Sequence, residues 1–266
     1  MFSYVDPRIR SRLERNGSLV TIDREGRPVA DGGGDRARPH ISLLGPIPLP
    51  RDVGGGEHLV HWYAFVRRVE LNNVLEAAGE VTAGGAAKLR ELLQTNMSVN
   101  SILATPGFAE LPAPLVRVHS CCITGDVFGS KRCECGPQLA ESFSQILAAG
   151  GGAVVYMSSH EGRGIGLWAK AITYLLQDEG QDTYEANVSL GLPEDSRDFT
   201  DAAVALRYLL GGKPLRLLSN NPLKQEQLER AGQPVSEMVR LVAGICDHNV
   251  SYVRCKRLKG HLLPEV

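Results

Sequence analysis

An α/β fold, a layered mixed sheet with helices preceded by a small α+β N-terminal unit, is what the sequence predicts, and three observations predict it. From about residue 115 short apolar stretches alternate with amphipathic ones, the order of strand and helix that builds a layered sheet. Ala153 to Met157 is a continuous apolar run, as strands covered on both faces are, and Leu215 to Leu218 reads as a further short strand. The stretches richest in reactive side chains, RVHSCCITGDVFGSKRCECGPQ, SSHEGRGIG and SNNPLK, each follow such a strand, and in these folds ligands collect at the carboxyl ends of strands.

Residues 1 to about 56 are rich in Arg, Gly, Pro and Asp around one apolar run, His40 to Leu44. They read as an irregular arm with one or two strands that packs on, or reaches across to, another subunit. His58 to Val69 is a β-branched and aromatic strand, and Leu71 to Ala78 and Gly84 to Gln94 suit helices, with Ala86, Leu89, Leu92 and Leu93 on one core-facing stripe. These form a unit over 1–105, and 106–266 forms a second that begins at the turn PGFAELPAP.

In that second unit Leu115 to Val118 is a strand feeding the cysteine loop. A helix starts near Pro137, at home in a first turn, and stops at Gly150 to Gly152. After the 153–157 strand and the EGRG loop comes a helix on which Leu167, Ala171, Tyr174, Leu175 and Asp178 share a face. Gly180 to Arg197 is a long polar loop, a kind that usually carries function. Asp198 then caps a helix that Gly211 closes, and a strand at 215–218, the turn Ser219 to Pro222, the Lys224 helix and a strand near Pro234 to Leu241 complete the order.

The chain has 266 residues with 29 basic against 30 acidic side chains, so it lacks the basic excess that nucleic-acid binding draws on, and any phosphate is held locally. The first residues carry charges where a leader peptide has its apolar core, and no run is long enough to cross a bilayer. A cytoplasmic protein without nucleic-acid or membrane partners is expected. In that compartment clustered thiols serve metals or chemistry more often than disulfides.

Four of the six cysteines lie between Arg117 and Gln138, beside His119, Asp126 and Glu134. Cys133 and Cys135, one residue apart, can aim at one centre, with Cys122, or else Cys121, reaching back as a third ligand. Adjacent side chains of an extended segment point opposite ways, which disfavours a site that uses both Cys121 and Cys122. Three thiolates suit Zn²⁺ and leave a fourth position open for water, the mark of a catalytic site; a structural four-cysteine zinc, or a thiol-based redox or storage module, is the competing reading. EGRGIG and the Ser219 to Lys224 turn, each opening a helix, offer backbone N–H groups, Arg163 and Lys224 to an anion.

RVHS, CITGD, the ten residues between Cys122 and Cys133, RCECG with Gln138, EGRGIGL, LQDEG with DTYEAN, DSRDFT and LLSNNPLK follow one another between about Arg117 and Leu263. In that order they resemble GTP cyclohydrolase II, the zinc enzyme that opens the guanine imidazole ring at the start of riboflavin synthesis. The resemblance implies one zinc on Cys122, Cys133 and Cys135, and catalytic roles for Tyr174, Asp195 and Arg197. It also implies nucleotide contacts at Arg117, Val118, His119, Ser120, Gln138, Glu161, Gly162, Arg163, Thr183, Ser219 and Lys224, with Cys121 and His160 in the same pocket. A nucleoside triphosphate substrate, Mg²⁺ accompanying it and a homodimer are implied too.

The chain departs from the family pattern where Cys121 stands for Glu, Ser159-His160 for Arg-Gln, and Ser219 for Thr. Pockets reject the wrong base largely by leaving buried polar groups unpaired, so these changes alter the donor pattern offered to the ring. With the extra residues ahead of the motifs, they resemble a divergent branch of cyclohydrolases that act on UTP in uracil breakdown. The expectation is therefore UTP ahead of GTP, with a catalytically silent nucleotide-binding regulator as the alternative outside enzymes.

Overall fold

The computed structural model describes residues 7–29, 39–68 and 98–266. The helices expected at Leu71 to Ala78 and Gly84 to Gln94 fall outside these residues. Among the described residues eight strands form one mixed sheet: β1 (Leu19–Ile22), β2 (Ile41–Val53), β3 (Gly56–Arg67), β4 (Asn100–Ala104), β5 (Leu115–Ser120), β6 (Gly152–Met157), β7 (Leu215–Leu218) and β8 (Val235–Val239), in the order β1-β2-β3-β4-β6-β5-β7-β8. From β1 to β6 neighbours are antiparallel; from β6 through β5 and β7 to β8 they are parallel. Pairing passes across position 105, because β4 lies between β3 and β6.

The α-helices among the described residues are α1 (Pro7–Arg15), α2 (Ile123–Asp126), α3 (Cys135–Ala148), α4 (Gly166–Asp178), α5 (Glu185–Ser189), α6 (Thr200–Leu210), α7 (Pro222–Arg230) and α8 (Val250–Leu258). α3 and α6 cover opposite faces of the sheet, and strand alternation sorts the core between them. Val116, Ala153 and Val155 pack in the cluster that holds the α6 run Ala202 to Leu206, whereas Leu115, Val154 and Leu218 pack with Phe143 and Ile146 of α3. Burial of both faces explains the apolar run Ala153 to Met157 in β6.

Several ends follow local chemistry. Gly211 closes α6 in the left-handed region at φ 60°, and the Asp198 carboxylate accepts the Thr200 N–H at its start. The Asn221 side chain accepts the Leu223 N–H at the start of α7, with Pro222 at its first position. Several elements differ from expectation: β4 and α2 were not among the expected elements, and β2 runs on to Val53 through residues read as an irregular arm. The 180–197 segment contains α5, and α1 and α8 form where no helix was predicted. On α4 Leu167, Trp168 and Leu175 are exposed, while Lys170 and Thr173 are buried. Its inward face serves a polar cavity, so apolar spacing misreads it.

Candidate active site

The carboxyl ends of the parallel strands β5, β6 and β7 carry the cysteine loop, the EGRG loop and the SNN turn to one cavity. The cysteine loop is shaped around Asp126. Its carboxylate meets His119 Nε2 at 3.1 Å and accepts the Cys122 N–H and the Tyr156 hydroxyl, both at 3.0 Å. Two glycines give the loop its tightness. A Cβ on Gly125 would stand 3.1 Å from Cys133 Sγ and 3.3 Å from Cys122 Sγ, and one on Gly136 would meet the Gly125 carbonyl at 2.4 Å.

That folding brings the Sγ atoms of Cys122, Cys133 and Cys135 within 4.8 Å of one another, with Cys122 and Cys133 at 3.6 Å. Among the described residues it is the one cluster of ligand side chains able to hold a metal ion. The donors fit a soft divalent ion. Thiol donation from Cys133 and Cys135, then the nearby Lys170 ammonium, hold Cys122 far below the usual thiol range, so thiolate charge is stabilised at the centre of the cluster. Cys121 points elsewhere: its sulfur accepts from the Tyr156 hydroxyl at 3.3 Å and lies 3.6 Å from Glu161 Oε2, and burial pushes its thiol up to about 12.

Lys170 is the residue that sequence reasoning missed nearest this cluster. Its buried ammonium lies 3.1 Å from Cys122 Sγ and 2.6 Å from Glu161 Oε1. Glu161 also accepts the Ile123 N–H at 2.6 Å, so its carboxylate joins the EGRG loop to the cysteine loop and does not line the cavity. The available signal was spacing: Lys170 stands four residues before Tyr174, hence on the same helix face. The Tyr174 hydroxyl is 2.9 Å from Thr124 Oγ1, with the Arg132 guanidinium 4.6 Å from its ring centre.

The EGRG loop turns through the left-handed region at Gly162 and again at Arg163, whose φ of 63° is the one positive value on a non-glycine among the described residues. That conformation is uncommon for a side chain of this size and is held by packing. Arg163 is buried with its guanidinium 4.0 Å from the Tyr184 ring centre and Nη1 3.8 Å from Asp195, while Nε and Nη2 have no partner. Asp195 grips Arg197 through both oxygens, at 2.8 and 2.5 Å, and Arg197 Nη1 reaches Ser120 Oγ at 3.3 Å. Burial would raise the Asp195 carboxyl, but the bonds from Arg197 outweigh it and keep the group ionised.

On the third wall Arg117 donates to Gln138 Oε1 at 2.9 Å and to the Leu218 carbonyl at 3.1 Å. Lys224 reaches the Val118 carbonyl at 2.8 Å. Ser219 and Thr183 line the same cavity. Of the predicted residues, Val118, Glu161 and Asp195 do not line it, although each bonds a residue that does. Ser159 hydrogen-bonds Asn100 and does not line the cavity, and His160 is held between Ser120 Oγ at 3.3 Å and the Asp198 carbonyl at 3.0 Å.

Burial, then Arg197, pushes His160 down to about 4, so it is neutral near pH 7. An unfolded chain binds a proton on this residue near pH 6.5. The stability it contributes is therefore complete above that pH and is lost as pH falls toward 4. His160→Gln should remove about 3 kcal/mol of the acid-induced loss across this window. Urea unfolding of both proteins at pH 7 and pH 4.5 checks this, and equal losses would show the two protonation states to be equally stable in the fold.

The description GTP cyclohydrolase II belongs to the family profile that matches residues 82–240. GTP cyclohydrolase-2 of Streptomyces coelicolor is 52% identical over 155 residues, 57% of this chain and 69% of that protein. Riboflavin biosynthesis protein RibBA of Salinispora arenicola is 52% identical over 150 residues, and that of Mycobacterium tuberculosis 43% over 197 residues. The matches span 36% and 46% of these two proteins' lengths. With more than half its length inside the profile and the cysteine loop, EGRG loop and SNN turn gathered at one cavity, the chain belongs to the GTP cyclohydrolase II family.

Proposed function

We propose that this protein is a zinc-dependent cyclohydrolase that opens the base ring of GTP, the reaction named for its relatives of the riboflavin pathway. The observation that carries the reading is the three-cysteine cluster in the same cavity as Tyr174, Arg163, Arg197 and Lys224. Cys122, Cys133 and Cys135 would hold the zinc, which when bound supplies a Lewis acid and lowers the pKa of water in its fourth position. The Tyr174 hydroxyl hydrogen-bonds the ring as it is attacked. Arg197, oriented by Asp195 and Ser120, stands at the α-phosphate, and Arg163 and Lys224 take further oxyanions, with Mg²⁺ accompanying the triphosphate. Arg117, His119 and Gln138 line the pocket for the rest of the nucleotide.

The preference for UTP rested on Cys121, Ser159 and His160. Ser159 faces Asn100 outside the cavity, and Cys121 and His160, which line it, already have partners for the Cys121 sulfur and for both His160 nitrogens. That observation and the relatives' names support GTP. Incubating zinc-loaded protein with each of the four nucleoside triphosphates tests the reading: opened guanine shifts its absorbance, whereas opened uracil loses its absorbance. Loss of UTP absorbance with GTP untouched would restore uracil as the substrate, and binding without turnover of any triphosphate would leave a silent regulator.

Arg163→Ala and Lys224→Ala should each weaken triphosphate binding roughly tenfold or more and nucleoside binding far less, because a charge-assisted bond is worth about 1.5 to 3 kcal/mol. Equal losses for both ligands, measured by calorimetry, would move these residues to the base. Trp168, 82% exposed on α4, with Leu175 and Phe128, shows apolar surface that supports the homodimer expected of this family.

A further inference from the structure

The segment that follows β8 supplies a wall of the cavity. α8 turns Tyr252 and Lys256, one helical turn apart, toward the site, and Lys256 Nζ lies 4.5 Å from the Tyr252 ring centre. Beyond α8, the Leu262 N–H donates to the Asn220 carbonyl at 2.7 Å, which fastens this segment to the turn bearing Ser219 and leaves His261 in the cavity wall. Tyr252, Lys256 and His261 lie outside the family match and outside the residues given roles above.

The charges there do not balance. Arg117, Arg163, Arg197, Lys224 and Lys256 line the cavity. Asp195 pairs with Arg197, and Glu134 pairs with Lys256 at 2.5 Å. Glu161 and Asp126 are occupied by Lys170 and His119. Burial first, then Arg117, Arg197 and Lys256, drive Lys224 well below the usual ammonium range, and His261 is pushed down to about 3 by burial and then by Lys256, Arg197, Lys224 and Arg163. Among the described residues Arg117 and Lys224 pair with no carboxylate and donate to neutral acceptors, so basic side chains outnumber their carboxylate partners in this region. An ammonium has three donors, yet Lys256 makes its bond to Glu134 and Lys224 its bond to the Val118 carbonyl. Glu134 itself keeps one buried oxygen, Oε2, without a partner.

We propose that Lys256 is a phosphate-binding residue, which with Lys224 forms a subsite for the oxyanions of the substrate's phosphates and exchanges Glu134 for a phosphate oxygen when the substrate enters. This rests on the cavity being a nucleotide site but not on which base is opened. A polyanion supplies the missing charge; a neutral base does not.

The test is calorimetric binding of magnesium tripolyphosphate, which has no base, to the full zinc-loaded chain. Lys256→Met should weaken binding about tenfold or more, and Glu134→Gln, which frees the ammonium from its counter-charge, should tighten it severalfold. A purely structural ion pair predicts the opposite for Glu134→Gln, so unchanged or weaker binding in that variant overturns the proposal. Should Lys256→Met fail to fold because Glu134 is left buried and unpaired, the double variant Glu134→Gln/Lys256→Met carries neither charge. It should bind about tenfold or more weakly than Glu134→Gln alone, and equal affinity of these two overturns the proposal. Binding through Lys256 in a protein that opens no triphosphate would leave this subsite standing while refuting the cyclohydrolase reading.

Discussion

Cys133→Ser and Cys135→Ser are each expected to lower bound zinc below one ion per chain and to abolish turnover, while Cys121→Ser keeps its metal. Each of the first two removes one of three thiolates from a set with no fourth sulfur directed at it, since Cys121 is turned to Tyr156 and Glu161. Serine is a harder and far less acidic donor, so the remaining pair holds zinc weakly. Metal analysis by mass spectrometry beside an activity assay decides the matter. Zinc lost from Cys121→Ser and retained by Cys122→Ser would show the ligand register to be off by one.

Tyr174→Phe is expected to fold and bind nucleotide but to turn over about a hundredfold or more slowly, within the range that a positioned proton donor supplies. The ring keeps its cationic neighbours, Arg132 at 4.6 Å and Lys170 at 5.7 Å, and loses only the hydroxyl bonded to Thr124. A group that serves the transition state lowers kcat with little change in substrate affinity. Full activity in this variant would return Tyr174 to a packing role.

The parallel half of the sheet was legible in the sequence because short apolar-rich runs there alternate with helical segments and are punctuated by glycine and proline. The cavity was legible because its loops follow those strands, as RVHSCC, SSHEGRG and SNNPLK do. α4 was not: its buried face is built around Lys170 and Thr173 and its apolar residues face outward, so periodicity points to the wrong side. α8 escaped because it is polar and buries only Val253 and Cys255. Its contribution, Lys256 and Tyr252, depends on the segment returning to the SNN turn, a long-range contact that no local pattern encodes. Glu161 shows a different limit. Motif position marks it as a nucleotide contact, whereas in the fold its carboxylate is taken by Lys170 and the Ile123 N–H.

Stripping the protein with a chelator and titrating zinc back while following GTP turnover tests most directly whether the cysteine cluster and the cavity form one catalytic centre. Turnover should be absent from the metal-free protein, rise in proportion to added zinc and break at one ion per chain. GTP opened at full rate without metal, or a protein still inert toward GTP at one bound zinc per chain, would contradict that centre.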